Sequence, residues 1–162
     1  GKTEVYMHLI RELIKEGHPC RCIRCREVKD GIYSTTPFLK RLELATLGGR
    51  EVFFSYEDEH KLYALLRLRL PDPKNKPLFR PLKGAAIVRE VHSYGQVVPL
   101  STRNKDKAQH QGLGRLLMEK AEREAAKNGY ARLAVISAVG TREYYRKLGY
   151  ILEGSYMIKM LK

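Results

Sequence analysis

The sequence predicts a mixed α/β domain, with a central sheet flanked by helices and preceded by a short helical, Cys-rich segment. Three observations lead to this prediction. Apolar and polar residues alternate between positions 36 and 94, as is typical of strands. A glycine-rich turn at positions 109–114 opens an amphipathic helix. A short apolar run at positions 132–136 has the length and composition of a buried parallel strand.

The segment before residue 36 begins with a predicted helix. Apolar residues recur at helical spacing between positions 3 and 16, and Gly17 ends the pattern just before a His-Pro pair. We expect this segment, residues 1–35, to be a linker that is separate from the domain that follows it, residues 36–162.

All three cysteines of the protein lie within six residues, as Cys20, Cys22 and Cys25. Closely spaced thiols in a cytosolic chain more often bind metal than form disulfides, and the arginines around them should lower the pKa of the thiols. We therefore predict a structural metal site, with zinc favoured over an iron–sulfur cluster. Its fourth ligand would be His18 or a residue outside this chain. Incidental, unliganded thiols are the alternative.

Residues 36 to 94 are predicted to form an antiparallel four-strand meander. In the third strand Arg67 and Arg69 alternate with leucines, so one face of that strand should be wet and basic. The proline-rich segment at positions 71–83 is long enough to be a functional flap. The predicted strands are Phe38–Leu44, Glu51–Tyr56, Lys61–Leu70 and Ala85–Tyr94.

After the glycine-rich turn the chain alternates between helices and strands. The helix that follows the turn should bury a stripe of leucines and alanines, and it ends at Asn128-Gly129. A second helix, capped by Thr141, stops at Gly149. Positions 150–161 are expected to form one or two strands.

The charge of the chain favours a polyanionic partner. There are 31 Lys and Arg residues against 18 Asp and Glu, which gives a net charge of +13. Such an excess more often indicates nucleic acid than a merely solubilising surface. No apolar run approaches the roughly 20 residues of a membrane span, and no signal peptide is recognisable. We expect a cytoplasmic protein that does not contact membranes.

The turn Gln109-His110-Gln111-Gly112-Leu113-Gly114 suits a phosphate-bearing ligand. Its glycines let the backbone approach a ligand closely. The helix behind them presents unpaired amides and the positive end of its dipole. A tight loop that only packs on the sheet is the alternative.

These motifs together resemble the GNAT acyltransferase superfamily. A Q-x-x-G-x-G turn follows a β-meander and leads into a helix, a strand and a second helix ending in Tyr-Tyr-x-Lys-x-Gly-Tyr, over residues 84–150. The resemblance implies the GNAT acyl-CoA N-acyltransferase fold. It also implies that the pyrophosphate of acetyl-CoA lies on the first turn of the helix.

A closer resemblance, over nearly the whole chain, is to the C-terminal domain of the Elongator catalytic subunits. It rests on REVHSYG at 89–95, QHQGLGRLLMEKAE at 109–122, AVISAVGTREYYRKLGY at 134–150 and YMIKML at 156–161. The upstream string PCRCIRCREV is similar to the zinc linker of archaeal and bacterial members.

Members of this family are radical-SAM tRNA enzymes that use acetyl-CoA to build a carboxymethyl group on the wobble uridine of tRNA. The resemblance implies an acyltransferase with acetyl-CoA and structural zinc as cofactors and tRNA as a partner. S-adenosylmethionine and a 4Fe–4S cluster would belong to a radical-SAM half that this chain lacks, so the chain alone should be incomplete for the full reaction. That radical-SAM domain and other Elongator-type subunits are further expected partners.

The resemblance also assigns roles in binding acetyl-CoA. Strand residues from Glu90 to Ser93 would pair their backbone with the pantetheine arm, and the Val97-Val98-Pro99 run is the alternative strand. The backbone of the glycine-rich turn would bind the pyrophosphate, and His110 is expected to contact the loop or the phosphate. The expected binding residues are Glu90, Val91, His92, Ser93, Gln109, Gln111, Gly112, Leu113, Gly114, Arg115 and Tyr145.

Four residues are candidates for catalysis: Tyr145, Tyr144, His92 and Glu90. Tyr145 matches the family tyrosine whose hydroxyl faces the thioester sulfur, and a phenol is a suitable proton donor to a leaving thiolate. Tyr144, about 100° away on the helix, is the alternative and is otherwise expected to pack into the core or its rim. Glu90 and His92 share one face of the fourth strand, where they can position a water or a proton; a purely structural role is the alternative.

Two other functions stay open from the sequence. A protein lysine acetyltransferase would use the same reaction class, but it should have an acidic groove near the thioester, whereas this chain is basic throughout. A non-catalytic tRNA-binding module with a degenerate acyl-CoA pocket would not need Gly112, Gly114 and Tyr145 intact.

Overall fold

In the computed structural model, a mixed seven-stranded sheet is the centre of the fold. The structure describes residues 2–18, 20–28, 37–75, 77–94 and 112–161. The strands are β1 Phe38–Thr46, β2 Gly49–Glu57, β3 Leu62–Pro71, β4 Ala85–Ser93, β5 Arg132–Ile136, β6 Ile151–Glu153 and β7 Tyr156–Met160. The helices are α1 Lys2–Lys15, the four-residue α2 Ile23–Arg26, α3 Leu113–Lys127 and α4 Arg142–Lys147.

The strands lie in the order β1-β2-β3-β4-β5-β7-β6. Strands β1 to β4 form the antiparallel meander that the sequence predicted. Strand β5, the short apolar run of the sequence, pairs in parallel with β4, also as predicted. Strands β6 and β7 close the sheet as an antiparallel hairpin. The predicted strands are therefore present, and their bounds shift by at most two residues.

Helix α3 covers one face of the sheet and forms the main core with it. Leu117, Met118 and Ala121 on the helix and Leu66 and Leu68 on β3 are at most 1% exposed. Each leucine buried in this way stabilises the fold by about 1.5–3 kcal/mol. The predicted apolar stripe of the helix is therefore confirmed.

Helix α3 ends in a glycine whose backbone is left-handed. At the end of α3, the amide of Gly129 donates to the carbonyl of Ala126, and the amide of Tyr130 donates to that of Ala125. The backbone of Gly129 is left-handed, with φ +82°. This is the Schellman arrangement, in which a glycine reverses the chain and the next residue folds back onto the helix.

The N-cap prediction for α4 is half right. Thr141 does occupy the cap position, but its side chain makes no cap hydrogen bond. Its hydroxyl instead donates to the carbonyl of Ala138, at 3.0 Å, because the chain enters α4 through a 3-10 turn, Val139–Thr141.

The Cys-rich segment is attached to the sheet at the beginning of β3. The amide of Val28 donates to the carbonyl of Leu62 at 3.1 Å, and the Val28 side chain is 5% exposed within the core. Arg26 donates to Glu57 of β2 at 2.8 Å. The division of the chain at residue 35 stays a prediction, but Arg26 and Val28 contact strands β2 and β3 of the sheet.

Helix α1 carries apolar side chains that the described residues do not cover. Val5, Leu9, Leu13 and Ile14 are between 44% and 60% exposed. Among the described residues, none of the helices combines the length and the apolar character that crossing a membrane requires.

The predicted flap lies along the start of β5. Its 3-10 turn, Arg80–Leu82, packs Leu82 against the small apolar cluster around Ala85, and Arg80 lines a shallow cavity together with Arg132 and Glu153. Since α3 begins beyond the end of β4 and runs back to the start of β5, these contacts lie at the end of the sheet opposite Gly112 and Gly114.

We expect the substitution Gly129→Ala to lower the free energy of unfolding by about 1 kcal/mol. A Cβ at position 129 would meet no atom within 4 Å, so the loss would come from the left-handed backbone alone. Urea denaturation measures the change. Gly140→Ala is the control, because Gly140 has equally open surroundings and no positive φ, and it should stay within a few tenths of the wild-type value. Equal losses in the two variants would contradict this account.

Candidate functional site

The pairing between β4 and β5 stops partway along β4. The two strands are hydrogen-bonded from Ala85–Arg132 to Val88–Val135, and the register ends there. Strand β4 continues through residues 89–93, where it is paired with β3 on its other edge. Among the described residues, the edge of this part of β4 that faces away from β3 has no strand beside it. Its backbone amides and carbonyls are therefore available to an extended ligand.

A β-bulge marks the point of separation. Arg67 of β3 faces Glu90, but the next β3 residue, Leu68, faces Val88, so Arg89 is an extra residue in β4. An extra residue bends its strand and increases the local twist. The bulge thus turns the end of β4 away from β5.

The first turn of α3 contacts the end of β4 at Gly114. A Cβ added to Gly114 would lie 3.1 Å from the Ser93 hydroxyl oxygen and 3.5 Å from that of Tyr144. Glycine at this position therefore lets three elements converge: β4, the first turn of α3, and α4.

Gly112 has a different surrounding from Gly114. It is the N-cap of α3, with φ −99°, and no heavy atom of the described residues lies within 4 Å of the place of its Cβ. Neither strain nor a clash requires glycine here. The open space in front of the amides fits a ligand that approaches the backbone, and the first turn of α3 contains no acidic residue to repel an anion.

The sequence predicted that the Tyr145 hydroxyl faces the ligand and that Tyr144 packs into the core or its rim; in the structure Tyr145 is the more deeply buried of the two. Tyr145 is 5% exposed within the main core, whereas Tyr144 is 41% exposed and its hydroxyl lies above Gly114. The rings are in edge contact, with centroids 5.2 Å apart. Neighbouring helix residues point about 100° apart, and α4 turns the Tyr145 side towards the sheet.

Burial raises the pKa of both Tyr144 and Tyr145 above the usual value of a phenol. Each hydroxyl therefore keeps its proton at neutral pH, as a proton donor must. Among the described residues, the Tyr145 hydroxyl has no hydrogen-bond partner.

Glu90 and His92 do share one face of β4, as predicted. The Nε2 atom of His92 lies 3.2 Å from Oε1 of Glu90, and the other carboxylate oxygen of Glu90 lies 3.5 Å from the Arg67 guanidinium. The intervening Val91 packs against the main core, so the two polar side chains point to the face of the sheet that α3 does not cover. The His92 side chain is about half exposed.

Ser137 is a candidate that the sequence reasoning missed. It follows β5 directly, beyond the last pair between β4 and β5, and its hydroxyl oxygen is buried without a hydrogen-bond partner among the described residues. Such a group normally has a partner, because leaving it unsatisfied costs about 1–3 kcal/mol. A polar residue just past the carboxyl end of a buried parallel strand was the available signal, since ligands of α/β sheets bind there.

Several predicted residues lie outside the described part of the chain. These are Gln109, Gln111 and His110 of the turn and the alternative strand Val97-Val98-Pro99.

The three cysteines come together as predicted. Their sulfur atoms all lie within 4.8 Å of one another, with Cys20 half-buried and Cys22 and Cys25 exposed. This group can hold a metal ion. It does not include His18, the nearest candidate for a fourth ligand.

The predicted lowering of the thiol pKa holds for Cys22 but not for Cys25, and in neither case does an arginine side chain cause the shift. The pKa of Cys22 is lowered by hydrogen bonds, first from the Cys25 backbone and then from the Cys20 thiol. The pKa of Cys25 is raised to about 11, mainly because its thiol is hydrogen-bonded to Cys22. The reason is local geometry: the Arg26 side chain turns away to bind the Arg21 carbonyl and Glu57.

Comparison with known proteins agrees with this geometry. Residues 104–159 match the family model described as an acetyltransferase (GNAT) domain. Elongator complex protein 3 from Danio rerio is 51% identical over 90% of this chain and 28% of its own length. A tRNA uridine(34) acetyltransferase from Dehalococcoides mccartyi is 44% identical over 94% of this chain and 35% of its own.

A solved structure, the archaeal Methanocaldococcus infernus Elp3 with an N-terminal deletion, superposes with a TM-score of 0.77 at 39% identity. The match covers 93% of this chain and 38% of that one. The chain thus spans about a third of the length of these relatives. Nine tenths of the present chain are homologous to Elongator complex protein 3. The chain carries an acetyltransferase domain of the GNAT fold, as the motifs predicted.

Proposed function

We propose that this chain binds acetyl-CoA between β4 and β5, with the pyrophosphate on the first turn of α3 and the pantetheine arm along residues 89–93. The edge of β4 that no described strand pairs is the observation that carries the proposal, because it supplies extended backbone leading to the glycine-rich turn. Residues 89–93 span about 13 Å at 3.3 Å per residue. This length sets the thioester near the bulge at Arg89 when the pyrophosphate lies at Gly112 and Gly114.

The side chains around this cleft suit cleavage of a thioester. In the proposed reaction, water adds to the acetyl carbonyl, the carbon–sulfur bond breaks, and the departing thiolate takes a proton from the Tyr145 hydroxyl. Glu90 and His92 orient the water and accept its proton, which solvent later returns to Tyr145. Tyr144, whose hydroxyl lies above Gly114, contacts the phosphate end of the ligand. The products are acetate and CoA.

The relatives suggest what this chemistry serves. We propose that the chain acts in the acetyl-CoA-dependent modification of the wobble uridine of tRNA, together with a radical-SAM domain that holds the tRNA base and with other Elongator-type subunits. The name of the bacterial relative and the net charge of +13 support a tRNA partner. We further propose that this takes place in the cytoplasm.

We also propose that Cys20, Cys22 and Cys25 bind a structural zinc ion. Three sulfur atoms in reach of one another supply three of the four ligands of a tetrahedral site. The ion would fix the turn that precedes Arg26 and Val28, and hence the contact of this segment with β2 and β3.

We expect Gly112→Asp to abolish the binding of acetyl-CoA in titration calorimetry. The new side chain meets open space and is itself a good N-cap, so thermal stability should be kept or increased. Its carboxylate, however, would lie where the pyrophosphate binds. Gly112→Asn is the control for bulk without charge and should weaken binding less. Undiminished binding by Gly112→Asp would refute the phosphate site.

We expect Tyr145→Phe to lower acetyl-CoA hydrolysis by about 10²-fold and to leave the dissociation constant within about twofold. Tyr144→Phe should instead weaken binding, by about tenfold, and leave the turnover number nearly unchanged. Hydrolysis is measured as acetate release with and without tRNA, and tRNA should increase it. The reverse pattern in the two variants would exchange the roles of the two tyrosines.

The same assay tests the proposed function as a whole. Acetyl transfer to lysine peptides that exceeds the tRNA-dependent release of acetate would favour a protein acetyltransferase. The absence of any heat with acetyl-CoA would refute the acyl-CoA site and leave a tRNA-binding module.

We expect purified protein to contain about one equivalent of zinc by elemental analysis, and less than about one third would refute the zinc site. Removal of the metal with a chelator should lower the melting temperature, by about 2–4 °C for each kcal/mol of stability lost. Cys25→Ser should have the same effect. His18→Ala is the matched control and should change neither zinc content nor melting temperature, because His18 is not part of the cluster.

A further inference from the structure

A hydrogen-bonded cluster lies behind the two tyrosines of α4, outside the proposed acetyl-CoA site. The hydroxyl of Tyr150 donates to Oε1 of Glu122 at 2.8 Å, and Nζ of Lys159 donates to the other carboxylate oxygen, also at 2.8 Å. The Lys159 ammonium lies 5.4 Å from the centroid of the Tyr150 ring. Glu122 belongs to α3 and Lys159 to β7, so the cluster joins three parts of the fold.

Tyr150 is fixed to Tyr145 through both backbone and side chain. At the end of α4 the amide of Gly149 donates to the carbonyl of Arg146, and the amide of Tyr150 donates to that of Tyr145 at 3.0 Å. This is the second Schellman arrangement, with Gly149 at φ +86°. The rings of Tyr150 and Tyr145 are in edge contact, with centroids 5.9 Å apart, and Tyr150 is 1% exposed.

Each aromatic ring thus supports the next one towards the cleft. Tyr150 packs on Tyr145, and Tyr145 packs on Tyr144 at 5.2 Å. The Glu122 carboxylate is the only charged acceptor that the described residues offer to this row, and it binds the ring farthest from the ligand. A phenylalanine would fill the same space without needing a hydrogen-bond partner. The hydrogen bond of the Tyr150 hydroxyl, by contrast, fixes the orientation of its ring.

Glu122 also relates the tyrosines to the phosphate end of the site. It lies eight residues after Gly114 on the same helix, a distance of about 12 Å along the axis. Through Glu122, one rigid helix fixes the position of the tyrosine row relative to the turn that binds the pyrophosphate. A group that must protonate one sulfur atom benefits from this, because a displacement of about 1 Å can cost about 10²-fold in rate.

We propose that Glu122, acting through Tyr150, is a positioning residue that sets the place of Tyr145 in the reaction. This rests on the proposed function, in which Tyr145 protonates the leaving thiolate. The ion pair of the cluster contributes little to stability, because the side chains of Glu122 and Lys159 are 18% and 30% exposed and ion pairs that reach solvent stabilise a fold only weakly.

The test compares kinetic constants of folded variants, with acetyl-CoA hydrolysis in the presence of tRNA as the assay. Glu122→Ala and Tyr150→Phe should each lower kcat about tenfold and leave KM for acetyl-CoA within about twofold. Glu122→Gln should recover most of the activity, because its amide oxygen still accepts the Tyr150 hydroxyl. Activities are compared well below the melting temperature of each variant.

Glu124→Ala is the matched control. Glu124 lies on the same helix with its side chain 14% exposed and is paired with Arg41, but no contact joins it to the tyrosines in the described structure. Its loss should leave kcat within about twofold. An equal decrease in kcat for Glu124→Ala and Glu122→Ala, or an effect of Glu122→Ala on KM or melting temperature alone, would overturn the positioning role.

A second measurement does not depend on turnover. The ring carbons of ¹³C-labelled tyrosine report the surroundings of Tyr145, whose signals are assigned with Tyr145→Phe. Glu122→Ala should shift these signals, and Glu124→Ala should not. Unchanged Tyr145 signals in Glu122→Ala would refute the positioning role, whereas the failure of the wild-type protein to bind acetyl-CoA would refute the proposed function instead.

Discussion

The hydrogen bonds between β4 and β5 end at Val88 and Val135, and the rest of the site depends on this early end. Backbone amides and carbonyls in the middle of a sheet are almost always paired, so a stretch that no described residue pairs calls for another partner. The bulge at Arg89 makes the separation possible by bending β4. It also leaves Glu90 and His92 on one face, while Ser93 points towards α3 and α4 on the other.

Helix α3 transmits this constraint to the other parts of the site. Its first turn lies against the end of β4 at Gly114, its middle packs on the sheet, and Glu122 binds Tyr150 behind α4. Both α3 and α4 end in a left-handed glycine followed by a tyrosine that folds back. For α4, this explains the spacing in Tyr-Tyr-x-Lys-x-Gly-Tyr: the glycine reverses the chain, and the last tyrosine supports the buried one.

Periodicity predicted the parts of the fold that are set by burial. Four strands, the apolar stripe of α3 and the parallel strand β5 follow from which residues must leave water. The orientation of Tyr144 and Tyr145 did not follow, because it depends on how α4 rotates against the sheet. Ser137 was missed because one polar residue after a strand is common, and only its burial without a partner distinguishes it. The predicted lowering of the thiol pKa fails for Cys25, and for Cys22 it comes from hydrogen bonds, since the sequence shows that arginines are near but not where their side chains turn.

The contact between the Cys-rich segment and β3 has a consequence for ligand binding. Neighbouring residues of β3 accept both contacts: the amide of Tyr94 donates to the carbonyl of Tyr63, and the amide of Val28 donates to the carbonyl of Leu62. The segment that follows the cysteines and the end of the ligand-binding strand are therefore held by consecutive carbonyls of one strand. Metal binding and acyl-CoA binding should therefore be thermodynamically linked. Linkage is reciprocal: if bound metal raises the affinity for acyl-CoA, bound acyl-CoA raises the affinity for the metal by the same factor.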